Sequence, residues 1–254
     1  MNEPLHILIV DDNEMMVKTL QDILRIKGYE VETAYSGSEA LEKAENNRFD
    51  CVISDIKMPG LNGVELYRAI KARQPELPVI LITAYAADEL VKEGLEEGVI
   101  AVLTKPLDLN LLLNFLSTLR QERSVIIIDD DVEFCRTLGD ILRRQQFNVT
   151  QIIDPAFILE NLNTDRQVIL LDMKLKRVNG LDILRQIREQ HPYLPVVLIT
   201  GYGEEMAEAL ETGLMINAHS YLHKPLRIEA LLQVLTQIDR QELSRRLGRP
   251  IKKK

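Results

Sequence analysis

One set of polar residues occurs twice along this chain, in the same order and at nearly the same spacing. Each copy holds a pair of aspartates, a single aspartate, a threonine, and a lysine followed by proline. The first copy is Asp11-Asp12, Asp55, Thr83 and Lys105-Pro106, and the second is Asp129-Asp130, Asp172, Thr200 and Lys224-Pro225. From the second aspartate of the pair, the steps are 43, 28 and 22 residues in the first copy and 42, 28 and 24 in the second. Two matched sets indicate a shared chemistry.

These residue types suit the acceptance of a phosphoryl group. Carboxylates held close together repel each other, and Mg²⁺ relieves that repulsion while keeping positions open for water and a phosphoryl oxygen. One carboxylate can then act as a nucleophile and form an acyl phosphate, while a lysine ammonium and a threonine hydroxyl bind the phosphoryl oxygens. Each residue has a structural alternative, since aspartates after a strand often cap helices and Lys-Pro often marks a turn. The joint repetition favours the functional interpretation.

The elements around these residues predict how they are positioned. Apolar runs predict strands at 5–10, 29–34, 50–54, 79–83 and 99–103, and helical patterns lie between them at 14–27, 37–47, 63–73, 88–96 and 108–121. In the second copy, strands are predicted near 124–128, 147–152, 168–171, 196–200 and 219–222. Regular alternation of strand and helix gives a parallel, doubly wound sheet. The polar residues follow the carboxyl ends of strands, where ligands bind in such sheets.

Length and composition fit two α/β domains. The 254 residues are 46% hydrophobic and 28% charged, and no apolar run is long enough to span a bilayer. We expect domains at 1–121 and 122–240, followed by a basic tail at 241–254 that extends the last helix and ends in solvent. The absence of a basic N-terminal region before the first strand, together with two isolated cysteines, favours a cytoplasmic protein. The net charge of −8 argues against general nucleic-acid binding.

With these residues in place, the chain resembles two response-regulator receiver domains in tandem, over roughly residues 4–240. The resemblance implies two flavodoxin-like (βα)5 domains, each with a five-stranded parallel sheet in the order 2-1-3-4-5 and one bound Mg²⁺. It also implies a role for each matching residue, and in the family the Lys-Pro bond is often cis. The implied roles are phosphoacceptors Asp55 and Asp172; metal ligands Asp11, Asp12, Asp55 and the carbonyl of Lys57, with Asp129, Asp130, Asp172 and the carbonyl of Lys174; switch and phosphate-binding residues Thr83, Lys105, Thr200 and Lys224; and the switch aromatic Tyr221.

The two copies depart from the family pattern in different places. The position of the switch aromatic, three residues before the lysine, is Val102 in the first copy. The second copy has Lys176 where the family usually has proline. It also has two extra residues before Lys224, which we place around Met215-Ile216-Asn217, so that the fourth helix or the following loop is altered. The Asn-Gly pairs 62–63 and 179–180 are interpreted as turns that precede a helix.

We expect a phosphorelay protein without a separate catalytic output domain, and therefore not an enzyme in the ordinary sense. Its partners would be a histidine kinase or phosphotransfer protein and a downstream protein target, and a dimer through the face of helix 4, strand 5 and helix 5 stays open. Two alternatives remain: a regulatory part of a longer enzyme or transcription factor, and a docking scaffold in which one receiver is not phosphorylated. A haloacid-dehalogenase-type phosphatase is disfavoured, because its D-x-D-x-T motif does not follow the first strand.

Overall fold

The structure is a computed structural model and describes residues 4–85, 87, 89–119, 121, 123–158, 162, 167–176, 178–201 and 211–247. These residues form two compact units. The first unit contains the described residues up to 119 and those from Arg240 onward, and the second contains those from Gln121 to Asp239. Within the described residues, no helix has the length and apolar character needed to cross a membrane.

The first unit alternates strands and helices as the sequence predicts. Its strands are β1 (His6–Val10), β2 (Glu30–Ala34), β3 (Cys51–Asp55), β4 (Val79–Thr83) and β5 (Ala101–Thr104). Its helices are α1 (Glu14–Ile26), α2 (Gly37–Asn46), α3 (Gly63–Arg73), α4 (Glu89–Glu96) and α5 (Leu109–Leu119). Side chains of Asn13, Ser36 and Asn62 accept N–H bonds at the starts of the first three helices, which fixes where those helices begin.

The second unit repeats this alternation. Its strands are β6 (Ser124–Ile128), β7 (Asn148–Ile152), β8 (Gln167–Asp172), β9 (Val196–Thr200) and β10 (Ser220–His223). Its elements also include α6 (Val132–Arg144), a 3₁₀ turn (Pro155–Phe157) and α7 (Gly180–Gln190). The C-terminal helix (Ile228–Arg246) begins in this unit, and its residues from Arg240 onward belong to the first unit.

Both sheets are parallel and have the predicted strand order. The first sheet runs β2-β1-β3-β4-β5, and the second runs β7-β6-β8-β9-β10. The register pairs Val10 with Ser54 and Thr83 with Thr104, so the strands of the first sheet end at one edge. The expected fold class, two doubly wound domains with order 2-1-3-4-5, is therefore confirmed.

Alternate residues of each central strand face two separate cores. In β1, Ile7 and Ile9 pack with α1 and α5, while Leu8 and Val10 pack with α2, α3 and α4. The second unit is built the same way around β6. Central strands buried on both faces explain why these segments are almost wholly apolar in sequence.

The C-terminal residues differ from the solvated tail that the sequence suggests. Leu243 and Leu247 are only 2% and 4% exposed and belong to the apolar cluster of β1, α1 and α5 in the first unit. The Arg240 guanidinium donates to the carbonyl of Pro75 and lies 3.7 Å from a carboxylate oxygen of Glu76, just before β4. Leu243 lies in the last turn of the C-terminal helix and Leu247 directly follows that helix, and burial of both apolar side chains favours packing over solvation.

The two extra residues of the second copy lie earlier than the sequence suggests. Gly94 of α4 and Gly213 have equivalent surroundings, because a Cβ added to either would come closest to the Cδ1 of a leucine two residues before the threonine that ends a strand. Their carbonyls accept from Val99 and Ala218, respectively, in the same type of turn. Gly94 and Gly213 are each 11 residues before the lysine. The placement around 215–217 is therefore wrong, and the extra length falls between Thr200 and Gly213, mostly outside the described residues.

Candidate functional site

The residues singled out in sequence lie at the carboxyl edge of each sheet. In the first unit Asp55 is the last residue of β3 and Thr83 the last of β4, while Asp11 and Lys105 directly follow β1 and β5. The second unit places its counterparts identically: Asp172 and Thr200 end β8 and β9, and Asp129 and Lys224 directly follow β6 and β10. Because parallel strands end side by side, residues far apart in sequence meet at one rim.

In the first unit, Lys105 joins two buried aspartates. Its Nζ lies 2.8 Å from Oδ2 of Asp11 and 2.5 Å from Oδ1 of Asp55. The other oxygen of Asp55, Oδ2, accepts the backbone N–H of Lys57 at 2.7 Å. Each oxygen of Asp55 therefore has a hydrogen-bond donor. The charged donor, the Lys105 ammonium, is on a side chain that could shift to bind a phosphoryl group added to Asp55.

The second unit has the same arrangement. The Nζ of Lys224 lies 2.6 Å from Oδ2 of Asp129 and 2.9 Å from Oδ1 of Asp172. The backbone N–H of Lys174 donates to Oδ2 of Asp172 at 3.0 Å. The same atoms thus make the same contacts in both units, and this match extends the repetition seen in sequence to three dimensions.

Burial and charge act against each other at these sites. Burial raises the pKa of Asp55, the hydrogen bond from Lys105 opposes that effect, and the negative charge of Asp11 adds to it. Burial alone would lower the pKa of Lys105, but its bonds to Asp11 and Asp55 outweigh burial and the pKa is raised. Lys224 behaves like Lys105, and burial also raises the pKa of Asp129. The lysines therefore stay charged. Burial disfavours the charged form of Asp55 and Asp129, and a bound cation would stabilise that form.

The donor set suits a hard cation such as Mg²⁺. Ligand oxygens of Asp129, Asp130 and Asp172 all lie within 4.8 Å of one another, and among the residues that the structure describes this is the only acidic, histidine or cysteine trio that meets this distance. Asp11, Asp12 and Asp55 occupy the matching positions of the first unit, with Asp12 exposed. Oxygen ligands from carboxylates at a partly buried rim are those that Mg²⁺ prefers.

The predicted switch residues differ in their surroundings. The Thr83 hydroxyl is buried and accepts the backbone N–H of Tyr85 at 3.0 Å, while the buried Thr200 hydroxyl donates to the carbonyl of Gly201 at 3.1 Å. Tyr221 is 42% exposed and its ring lies edge-on to His223, with centroids 5.4 Å apart. Val102 is buried in the core instead. Both Lys-Pro bonds are cis, as the resemblance implies.

The structure adds two glycines that the sequence interpretation treated only as turn residues. Gly63 and Gly180 are the first residues of α3 and α7, after the capping residues Asn62 and Asn179. A Cβ at Gly63 would overlap the carbonyl oxygen of Asp55, and a Cβ at Gly180 would lie 2.7 Å from that of Asp172. These glycines therefore let each helix start directly against the backbone of the rim aspartate.

A further contact distinguishes the second site. The Nζ of Lys224 lies 4.5 Å from the centroid of the Phe134 ring, close enough for a cation–π interaction. The equivalent residue of the first unit is Met16, four positions after the aspartate pair in both copies. The only sequence signal for this contact is an aromatic residue in the first turn of α6.

Comparison with known proteins agrees with this geometry. The family model described as the response regulator receiver domain matches residues 7–117 and 125–236. A response regulator receiver protein of Anaeromyxobacter sp. (strain Fw109-5) is 31% identical over 237 residues, which cover 92% of this chain and 95% of the relative.

Two further matches each cover about half of this chain. The transcriptional regulatory protein ZraR of Klebsiella oxytoca is 40% identical over 115 residues, 45% of this chain but only 26% of that protein. A crystal structure of the Vibrio cholerae chemotaxis protein CheY4 is 35% identical, covers 46% of this chain and 98% of its own, and has a TM-score of 0.43. Two family matches over most of the chain, with a relative similar along nearly its whole length, place this chain in the response regulator receiver family.

Proposed function

We propose that each domain accepts a phosphoryl group, on Asp55 in the first and on Asp172 in the second. The donor is a phosphohistidine of a histidine kinase or phosphotransfer protein. One observation carries the proposal: in both domains the same buried aspartate has an ammonium on one oxygen and a backbone N–H on the other, at a rim lined by two more carboxylates. Such an aspartate is a preoriented nucleophile.

In the transfer step, a carboxylate oxygen of the aspartate attacks phosphorus and forms a P–O bond. The P–N bond to the donor histidine breaks, and its electron pair stays on the imidazole nitrogen. Asp11, Asp12, Asp55 and the carbonyl of Lys57, or their counterparts in the second domain, would hold Mg²⁺. When bound, the ion neutralises negative charge on the carboxylates and on the phosphoryl oxygens.

Lys105 and Lys224 keep the attacking carboxylate in place before transfer and bind a phosphoryl oxygen after it. A charge-assisted hydrogen bond contributes about 1.5–3 kcal/mol, and moving a two-state element from 1:99 to 99:1 needs about 5.5 kcal/mol. In the structure each lysine already bonds its aspartate, so its bond to the phosphoryl group is largely an exchange. The threonine hydroxyl and a downstream partner that prefers the phosphorylated state must supply most of the switching free energy.

The readout is expected to differ between the domains. An exposed ring at Tyr221 can turn inward when Thr200 moves toward a phosphoryl oxygen, whereas Val102 is already buried and has no ring to reposition. We therefore assign an aromatic switch to the second domain only. In the first domain, the signal would pass through Thr83 and the adjoining β4–α4 connection.

The test is treatment of the whole chain with a small-molecule acyl phosphate and Mg²⁺, followed by intact-mass measurement. We expect two added phosphoryl groups in the parent chain, one in Asp55→Asn, one in Asp172→Asn and none in the double variant. Asp22→Asn, an exposed position on α1, is the matched control and should still take two. A parent chain that takes none contradicts the proposal, and a domain whose Asn variant changes nothing would be a docking scaffold.

A further inference from the structure

Lys176 gives the second acidic pocket a cation of its own. Its backbone N–H donates to Oδ2 of Asp130 at 3.1 Å, and its Nζ lies 3.5 Å from the same oxygen. The first domain has Pro59 at the equivalent position, four residues after the rim aspartate. A proline has neither a backbone N–H nor an ammonium, so Asp12 cannot be held in this way.

The contact completes a pattern of charges in the pocket. Lys224 binds Asp129 and Asp172, the two carboxylates that are nearly inaccessible to solvent. Asp130 is the third member of the trio and is bound by Lys176. Three carboxylates therefore face two ammonium groups, and the charge that would attract a divalent cation is partly neutralised before any metal arrives.

The backbone and the side chain of Lys176 act in opposite directions. The N–H of a loop residue stays where the chain places it, and it keeps the carboxylate of Asp130 turned toward Asp129 and Asp172. The side chain is 82% exposed and can leave without rearranging the core. Its ammonium lies against a carboxylate that a metal ion would use as a ligand, so it competes with the ion.

We infer that Lys176 adjusts cation binding at the second pocket, with its N–H orienting Asp130 and its ammonium competing with Mg²⁺ for that carboxylate. The inference rests on the proposed function, since it concerns the metal that the phosphoryl-accepting site would use. An exposed ion pair has a modest effect, which corresponds to about a twofold to fivefold change in affinity. Salt screens exposed charges, so the change should be largest at low ionic strength.

The test is a Mg²⁺ titration of the full chain in which NMR monitors the chemical shifts of the backbone amides of Lys57 and Lys174. Each amide bonds to the rim aspartate of its own domain, so one titration reports the two pockets separately. Lys176→Gln keeps the N–H and removes the ammonium. We expect it to lower the Mg²⁺ Kd reported by Lys174 about twofold to fivefold, by less at high salt, and to leave the Kd reported by Lys57 unchanged.

Two further variants separate the backbone from the side chain. Lys176→Pro also removes the N–H and should bind Mg²⁺ more weakly than Lys176→Gln, because Asp130 is no longer oriented. In the first domain, Pro59→Lys should bind Mg²⁺ more weakly at the Lys57 amide than Pro59→Gln, because both variants add the N–H and only the lysine adds an ammonium. If Lys176→Gln leaves the second Kd unchanged or raises it, the inference is wrong. If the Lys174 amide responds to Mg²⁺ in none of the chains, the metal site of the proposed function fails as well, which is a distinct result.

Discussion

The two domains share the arrangement of the lysine and aspartates at the carboxyl edge of the sheet and differ in the residues next to them. Lysine, paired aspartates and backbone N–H meet in the same way at both rims. Around that core, the second domain adds the Phe134 ring beside Lys224 and the Lys176 contact to Asp130. Residues at the strand ends make the same contacts in both domains, whereas neighbours one turn or one loop away differ between them.

The amino edges of the sheets show a second difference. In the second domain, Arg188 alone donates to the carbonyls of His191, Leu194 and Asn217. The equivalent residue in the first domain is Lys71, which donates to Pro75 and shares that carbonyl with Arg240 from the C-terminal segment. In the first domain, a residue from the C-terminal segment thus helps to bond this loop. In the second domain, one arginine from the preceding helix makes the corresponding bonds.

The largest effect is expected from Leu243→Ala. Leu243 is buried in the core of the first domain, and Leu→Ala at such sites costs about 2–5 kcal/mol. Hydrogen exchange should show faster exchange of the β1 and β3 amides in the first domain, while the β6 and β8 amides keep their protection.

Leu235→Ala is the matched variant, because Leu235 lies earlier on the same helix and is buried in the second domain. It should reduce protection of the second domain instead. Equal effects of Leu243→Ala on both domains, or no effect on the first, would show that the C-terminal segment is not part of the first core.

The fold and the rim could be predicted because they depend on strong, local signals. Apolar runs mark the buried strands, and parallel strands bring their carboxyl ends to one edge, so Asp55, Thr83 and Lys105 had to meet there. The repeated spacing of the polar residues then predicted the same arrangement in both domains.

The remaining features depend on tertiary partners that no local signal identifies. The segment from Arg240 onward is rich in charge, and only the spacing of Leu243 and Leu247 hinted at a buried face. The carbonyl that excludes a side chain at Gly63 belongs to Asp55, eight residues away. The bond from Lys176 to Asp130 joins two loops, and its formation depends on the folded backbone.

An intermediate effect is expected from alanine at the two helix-start glycines. Alanine in place of a helical glycine often stabilises a protein by about 0.4–1 kcal/mol. At Gly63 and Gly180 the added Cβ would instead meet the carbonyl of the rim aspartate, so a backbone must shift. We expect a cost of about 1–3 kcal/mol in each domain, measured by denaturant unfolding, and slower phosphorylation of that domain.

Gly94→Ala is the control for this comparison. Its Cβ would lie 3.1 Å from a side-chain carbon of Leu81, which can move, so the cost should be much smaller. Similar costs at Gly63 and Gly180 would support equivalent rims. A cost at only one of them would mean that the two sites differ in their backbone as well as in their neighbours.

The smallest effect is expected for the pH dependence of stability, and it is confined to the first domain. The pKa of Lys71 is lowered to about 8, first by burial and then by the positive charge of Arg240, against the opposing effect of Glu76. In the unfolded chain the pKa of lysine is about 10.4. Between these values the unfolded chain binds more protons than the folded one, so through this group the stability of the first domain rises with pH, and below about pH 8 the full cost is present.

Lys71→Met removes that cost, while the Pro75 carbonyl keeps Arg240 as a donor. The variant should therefore be more stable than the parent at pH 7, and the difference should shrink as the pH rises through the window above about 8, as followed by denaturant unfolding. Arg240→Gln should move the pKa of Lys71 back toward its ordinary value in an NMR titration. An unchanged pKa in that variant would mean that Arg240 does not lie beside Lys71. Arg188 stays charged throughout this range, so the second domain should show no matching window.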